Sequence, residues 1–373
     1  MARLCVGVIG PGLIGKALVQ QLRQQTPVLA RELGVTLALV AVANSKRQLL
    51  SPLGAPLQLE ADADADWGET LQSQGAPLDL PALGAHVAAP GGWGVIVDCT
   101  ASEQVPDHYE SWLAGGLHVV TPNKKMGAGD IKRYRAAQAA ARAGGGRLLA
   151  EASVGAGLPI MSTLRDMIET GDQVTRIEGI LSGTLSFIFN TFRPGDAFSS
   201  VVARAKELGY TEPDPREDLS GMDVARKVVI LARGCGLDAD LGQLQVDSLV
   251  PEPLRGLASA DEFMARLPEF DNEMASRADA AAAEGGVLRY VGVVDAAAGT
   301  ASVTLKSFPA DHPFAALRGS DNLVCFTTRR YCATPLVVRG PGAGADVTAA
   351  GVFGDVLQIA RSVAPRPAAA AAP

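Results

Sequence analysis

The chain has 373 residues, enough for two domains with separate cores, and its 47% hydrophobic and 20% charged content is that of a globular protein. Its 33 lysines and arginines against 40 acidic residues give a net charge of −7, which offers no basic stripe for nucleic acid and no cationic face for a membrane. No apolar run approaches the ~20 residues that span a bilayer, and no signal or transit peptide is visible before the first strand-like segment. Cys5, Cys99, Cys235, Cys325 and Cys332 form no CxxC pair, as expected of reduced thiols in a cytoplasmic protein.

In chain order, Leu4–Ile9 reads as a strand and Ile14–Arg23 as a helix, with Ile14, Leu18 and Leu22 on one face. Between them, Gly10-Pro11-Gly12-Leu13-Ile14-Gly15 has the residues of a dinucleotide turn. Gly10 permits the tight bend, Gly12 lets a pyrophosphate reach the backbone, and Gly15 lets helix and strand pack closely. The helix N-terminus then offers its unpaired N–H groups to the phosphates. Thr36–Ala43 is apolar enough to be a strand buried on both faces, and it ends in Asn44-Ser45-Lys46-Arg47. With no acid there for a ribose, Asn44, Lys46 and Arg47 favour NADP(H), with NAD(H) still possible; the alternative is a solvated loop in which both cations touch nothing.

Ser51–Gly94, rich in Pro, Gly and Ala, reads as a surface excursion. Within it, Asp62-Ala-Asp-Ala-Asp66 resembles the start of a calcium loop, but Trp67 and Ser73 replace the required Gly and Glu, which excludes that reading. Val95–Cys99, Leu117–Val120 and Leu148–Ala150 are further strands, separated by helical stretches such as Asp130–Ala143. The alternation predicts a parallel sheet with crossover helices. Lys124, in Thr121-Pro122-Asn123-Lys124-Lys125, falls at a strand's carboxyl end, where such sheets bind ligands, although most Lys-Lys pairs are surface features. Glu151 opens a Gly-rich turn through Leu158 that could ligate a hard cation; on residues alone a tight interdomain turn is preferred.

The second half has a strand at Val174–Leu181, helices near Leu185–Phe192, Ser199–Leu208 and Gly221–Arg233, and a polar helical stretch at Ala260–Ala283. The strands Val287–Val294, Ala301–Phe308, Asn322–Thr328 and Leu336–Arg339 follow in series, which predicts an α+β domain with a mainly antiparallel sheet. A Gly-rich loop, Gly340–Gly344, a helix over Asp346–Ala360 and a disordered Pro/Ala tail at Pro365–Pro373 close the chain. The window Gly209–Lys227 gathers Glu212, Asp214, Glu217, Asp218 and Asp223 before Lys227. Asp223 and Lys227, four apart on a helix, share a face and suit proton transfer to a small charged substrate. They equally suit plain helix stabilisation, with Ser220 and Asp223 as a capping box, and the window alone leaves the two readings even. His86, His108, His118 and His312 lack metal-ligand spacing, and no Gly-x-Ser-x-Gly elbow or Walker A loop is present.

From about residue 3 to 362, GPGLIG, TPNKK, EASVGAGLPI, GILSGTLSFIFN, GYTEPDPREDLSGMDVARK and RGPGAGADVTAAGVFGD occur in the order found in homoserine dehydrogenases. The chain resembles the monofunctional, fungal-like members of that family, and also the dehydrogenase half of bifunctional aspartokinase enzymes. The resemblance implies NAD(P)H-dependent interconversion of L-aspartate 4-semialdehyde and L-homoserine on the branch to threonine and methionine. It implies Lys227 as proton donor, Lys124 as the second catalytic lysine and Asp223 beside Lys227. Glu212 would hold the substrate ammonium, Asp218 would position substrate, and Thr184 would line its pocket. Gly10, Gly12, Leu13, Ile14, Gly15, Thr100, Lys124 and Gly344 would contact the cofactor. Glu151 with the carbonyls of Val154, Ala156 and Leu158 would bind a monovalent cation, Na+ or K+, which reverses the preference for a plain turn.

The organisation implied is an α/β chain. Residues 1–150 would be a Rossmann-type NAD(P)-binding domain completed by 341–362, residues 151–340 a catalytic and dimerisation domain, and 363–373 a tail. A homodimer is implied, and neither a kinase segment before residue 1 nor a regulatory ACT-like domain after Ala360 is expected. A reductase of another amino-acid semialdehyde, and an NADP-binding sensor without catalysis, remain as alternatives.

Overall fold

The computed structural model describes residues 1–52, 55–57, 67–89 and 92–364. The Asp62–Asp66 run and the tail 365–373 lie outside the described residues. The chain divides into two compact units, Met1–Gly157 with the segment from Gly344 onward, and Leu158–Ala343.

The first unit is built on β1 (Ala2–Ile9), α1 (Leu13–Leu33), β2 (Val35–Ala43), β3 (Arg47–Leu50), α2 (Trp67–Gln74), β4 (Ala76–Pro77), α3 (Leu80–Ala88) and β5 (Trp93–Asp98). α4 (Tyr109–Ala114), β6 (His118–Val120), α5 (Lys124–Ala128), α6 (Ile131–Gly144) and β7 (Leu148–Leu149) follow. The sheet order is β4-β3-β2-β1-β5-β6-β7. Strands β2, β1, β5, β6 and β7 run parallel, and β3 and β4 form an antiparallel edge. The order reverses direction between β1 and β5, the switch point at which such sheets bind ligands.

Period-two alternation assigns the faces of β1. Leu4, Val6 and Val8 join Leu18 and Leu22 of α1 and Val352, Val356 and Ile359 of the chain's last helix, Ala345–Val363. Cys5 and Ile9 join Leu83 and Val87 of α3, Trp112 of α4 and Ala137 of α6. The segment 51–94 is therefore more than a surface excursion. Its α3 is a covering helix of the sheet, and its Trp67 and Leu71 are buried in the core.

The second unit contains α7 (Met161–Glu169), β8 (Val174–Ile180), α8 (Gly183–Thr191), α9 (Phe198–Glu207), α10 (Pro215–Leu219), α11 (Met222–Gly234) and β9 (Gln245–Val246). Then come α12 (Ala260–Arg266), α13 (Asp271–Ala283), β10 (Gly286–Asp295), β11 (Thr300–Pro309), β12 (Asp321–Thr328) and β13 (Leu336–Pro341). The polar stretch expected as one helix is two, parted by a 3₁₀ turn at Leu267–Phe270 that contains Pro268. The sheet order is β13-β12-β8-β10-β11-β9, antiparallel except for β11 with β9.

Alternation along β10 separates two layers. Val291 and Val293 pack with Ile180, Phe308, Phe314 and Leu323, whereas Gly292 lies beneath Val224 and Val228 of α11. On β10 the buried Arg289 donates to Phe189 O at 2.8 Å, Phe314 O at 2.9 Å, Leu288 O at 2.7 Å and Ala315 O at 3.2 Å. Burial, with Arg193 nearby, pulls its guanidinium down to about 10, yet it stays charged at neutral pH. Among the described residues carbonyl dipoles alone hold this cation, and they tie the 309–317 loop to α8. Arg289→Ala should therefore destabilise the second unit by about 3 kcal/mol, roughly 6–12 °C in its calorimetric midpoint. An unchanged midpoint would show that apolar packing alone holds the loop.

Candidate active site

In the second unit, the turn from β8 into α8 meets the junction of α10 and α11. Lys227 is buried on α11, and its Nζ donates to Leu181 O at 2.7 Å and to Asp223 Oδ2 at 2.8 Å. An ammonium has three N–H donors, so among the described residues these contacts leave one for a ligand. Ser182 caps α8 by accepting from Leu185 N–H at 3.1 Å, which places Thr184 in the first turn of the helix. Thr184 Oγ1 lies 2.6 Å from Tyr210 O and 2.9 Å from Asp218 Oδ1.

One hydroxyl proton cannot serve both acceptors, and a carbonyl can only accept. A carboxyl protonated on Oδ1 satisfies both contacts while Oδ2 accepts from Glu212 N–H at 2.8 Å. Burial acts in the same direction. It raises the Asp218 carboxyl above its usual range, with Asp223 adding to the shift and the hydrogen bond from Glu212 N–H opposing it.

The structure sorts the five carboxylates of the window. Asp214 caps α10 and holds Arg216 at 2.6 Å, and Arg216 also reaches Leu257 O, so this pair secures the loop. Glu217 and Glu212 are exposed, Asp218 faces Thr184, and Asp223 holds Lys227. The capping box does not form. Ser220 ends α10, its Oγ donates to Glu217 O, and α11 starts from Gly221 with no side-chain cap. Gly221 is required here, because its φ is +74° and an added Cβ would sit 2.0 Å from Tyr290 Oη.

In the first unit, the three motif glycines have distinct surroundings. A Cβ on Gly10 (φ +88°) would meet Thr100 Cγ2 at 2.8 Å, and one on Gly15 would meet Gly10 O at 2.4 Å. Gly12 has open space around it and caps α1, whose first turn carries no acid. Leu13 is exposed at the helix start and Ile14 packs on the core. The N-terminus of α1 is thus shaped for an anion. At the end of β2, Asn44 Oδ1 accepts from the N–H groups of Lys46 and Arg47, both at 2.8 Å, and so closes the turn to β3. Lys46 and Arg47 are exposed, and Arg47 Nη1 donates to Gly75 O at 2.7 Å.

Lys124 is the half-buried first residue of α5, and Lys125 pairs instead with Glu103. Thr100, after β5, donates its N–H to Asp98 Oδ1 at 2.8 Å. Gly344 (φ +120°) caps the last helix, where its carbonyl accepts from Thr348 Oγ1. On the expected cation turn, Glu151, Val154 and Ala156 are buried, and Ala156 is the non-glycine at positive φ (+55°) among the described residues. Leu158 opens the second unit. No group of three or more His, Cys, Asp or Glu side chains able to hold a metal occurs among the described residues.

Four contributors escaped the sequence reading. Leu181 and Tyr210 act through backbone carbonyls, which have no signature in residue type. Asp98 and Asn123 do have one, as polar residues at the carboxyl ends of parallel strands.

The sequence pattern of homoserine dehydrogenase matches residues 159–357, and that of the homoserine dehydrogenase NAD binding domain matches residues 10–151. A chloroplastic bifunctional aspartokinase/homoserine dehydrogenase from Zea mays is 51% identical over 95% of this chain; the chain spans only 38% of that relative's length. The homoserine dehydrogenase of Emericella nidulans is 44% identical, over 96% of this chain and 98% of its own. A crystal structure of a Candida auris protein of unknown function superposes with a TM-score of 0.87 at 40% identity, covering 98% of this chain and all of the other. The chain belongs to the homoserine dehydrogenase family.

Proposed function

We propose that the chain catalyses the NAD(P)H-dependent interconversion of L-aspartate 4-semialdehyde and L-homoserine, with NADPH preferred, on the branch to threonine and methionine. The observation that carries this reading is Lys227, a buried ammonium between Leu181 O and Asp223 with one donor remaining. Bound cofactor supplies the hydride. As the aldehyde carbon accepts it, negative charge develops on the oxygen, and the Lys227 ammonium stabilises that charge and then delivers a proton. In the reverse direction Lys227 takes the proton back, and Asp223 holds its Nζ in place throughout. Lys124, at the carboxyl edge of the parallel sheet, acts as the second catalytic lysine.

Glu212 and Asp218 receive the substrate ammonium, and Thr184 fixes the Asp218 carboxyl. The α1 N-terminus with Gly10, Gly12, Leu13, Ile14 and Gly15 binds the pyrophosphate, Thr100 and Gly344 contact the cofactor, and Lys46 with Arg47 reads the 2′-phosphate while Asn44 shapes their turn. The buried Glu151 and the left-handed Ala156 suit a monovalent cation (Na+ or K+) held with the carbonyls of Val154, Ala156 and Leu158. The partner is a second copy of the chain, joined through the late strands, where β13 forms a sheet edge with Val337 exposed. The expected compartment is the cytoplasm: the five cysteines are free thiols, and no described helix is long and apolar enough to cross a membrane.

The decisive measurement is NADPH oxidation on adding L-aspartate 4-semialdehyde; folded protein that leaves NADPH untouched refutes the reading. Lys227→Ala should bind NADPH with unchanged affinity and turn over at least ~100-fold more slowly. Near-normal turnover in that variant would move the proton donor elsewhere.

Asp218→Asn separates stability from function. The folded state favours the protonated Asp218 carboxyl, so wild-type stability falls as pH rises from the unfolded carboxyl's pKa through the raised folded one. An amide in its place donates to Thr184 and accepts from Glu212 N–H without ionising. The variant's melting temperature should therefore match or exceed wild type at pH 8, with the advantage shrinking towards pH 4, while kcat/KM drops at least ~10-fold. A variant less stable than wild type at pH 8 would mean that Asp218 is ionised in the fold.

A further inference from the structure

Asp98, the last residue of β5, is fully buried. Its Oδ1 accepts from Thr100 N–H at 2.8 Å, and its Oδ2 accepts from Tyr109 Oη at 2.6 Å and from Asn123 Nδ2 at 3.1 Å. Its backbone oxygen accepts from Thr121 Oγ1 at 2.8 Å. Asn123 in turn donates to Ser102 O at 2.9 Å, and its Oδ1 accepts Lys125 N–H at 3.0 Å. The backbone of Lys124 is therefore held on both sides, by Asn123 before it and by the capped Lys125 after it. Thr100, fixed by the same carboxylate, is the residue that a Cβ on Gly10 would strike.

One buried carboxylate thus joins the loops after β5 and β6 and abuts the phosphate turn after β1. These are three loops at the ligand edge of the sheet. Burying a carboxylate carries a large desolvation penalty, and two loops can be tied with neutral Asn and Ser groups at lower cost. Burial does raise the Asp98 carboxyl, against the pull of its hydrogen bonds from Thr100, Tyr109 and Asn123. All three partners donate, so the group acts as an ionised acceptor.

We infer that Asp98 is a positioning residue for hydride transfer, setting Lys124 and Thr100 relative to the bound dinucleotide through Asn123 and its own carboxylate. The inference rests on the activity proposed above. An amide at this position replaces one acceptor oxygen with an NH2, so Asp98→Asn must leave at least one of the clamp's donors unpaired.

The test compares wild type, Asp98→Asn and Tyr109→Phe. It measures kcat, both KM values, thermal melting, and the primary isotope effect with NADPH deuterated at the transferred hydrogen. Wild type that does not turn over refutes the activity and not the clamp. With active wild type, Asp98→Asn should lose about 10- to 100-fold in kcat, as expected for a misplacement near 1 Å. Its isotope effect should rise and its semialdehyde KM should stay within about 3-fold, because hydride transfer alone has slowed. Tyr109→Phe keeps two of the three donors and should lose about 3- to 10-fold in kcat, again with a raised isotope effect. A loss that reflects only a smaller active fraction, with isotope effect and KM values unmoved, overturns the inference, as does unchanged kcat. Should Asp98→Asn fail to fold, Tyr109→Phe decides alone, and an unchanged kcat and isotope effect in it overturn the inference.

Discussion

A buried ammonium must be surrounded by acceptors, and Lys227 imposes that condition on the second unit. Its two acceptors come from different elements, Leu181 at the end of β8 and Asp223 one turn earlier on α11. Hydrogen bonds to a charged group are worth about 1.5–3 kcal/mol each, which offsets much of the several kcal/mol lost when the ion leaves water. Both bonds hold only at one register of α11 against the sheet. Val224 and Val228 set that register by packing over Gly292, where a side chain larger than hydrogen would meet Val228 at 2.4 Å. The start of α11 is fixed in turn by Gly221, whose left-handed backbone passes beneath Tyr290. Helix, strand and charge therefore determine one another, and the site follows from their agreement.

Much of this architecture was legible in the residues, for physical reasons. The parallel sheet announces itself through apolar strands, and β1 shows how: with both faces covered, every residue from Leu4 to Ile9 except glycine is apolar. The covering helix α3 was not legible. Its sequence LPALGAHVA has only Leu80, Leu83 and Val87 as large apolar residues, and the small residues between them blur the amphipathic stripe. At the site, the carboxylate cluster was visible as a group but not as individuals. Asp214 and Asp218 are both acids near a helix, yet Arg216, two residues after Asp214, claims the first, and the buried Thr184 claims the second. Such a division depends on which side chains meet across 34 residues of sequence. The capping box failed because a five-residue helix, α10, ends on the serine that would have opened the next one.

Asp98 in the first unit and Lys227 in the second are buried charges held in different ways. Asp98 is an anion held by neutral donors: a backbone N–H, an amide and a phenol. The amide groups do not titrate, and burial together with Asp98 pushes the Tyr109 phenol well above its ordinary range. The phenol therefore keeps its proton near neutral pH, which suits a fixed scaffold. Lys227 is held instead by a carboxylate and a carbonyl. Asp218, raised by burial and linked to a hydroxyl, completes the contrast as a carboxyl whose charge a cationic ligand can draw out. The Asp98 clamp is thus built from donors that keep their protons, whereas in the second unit Asp223 meets an ammonium and Asp218 a hydroxyl.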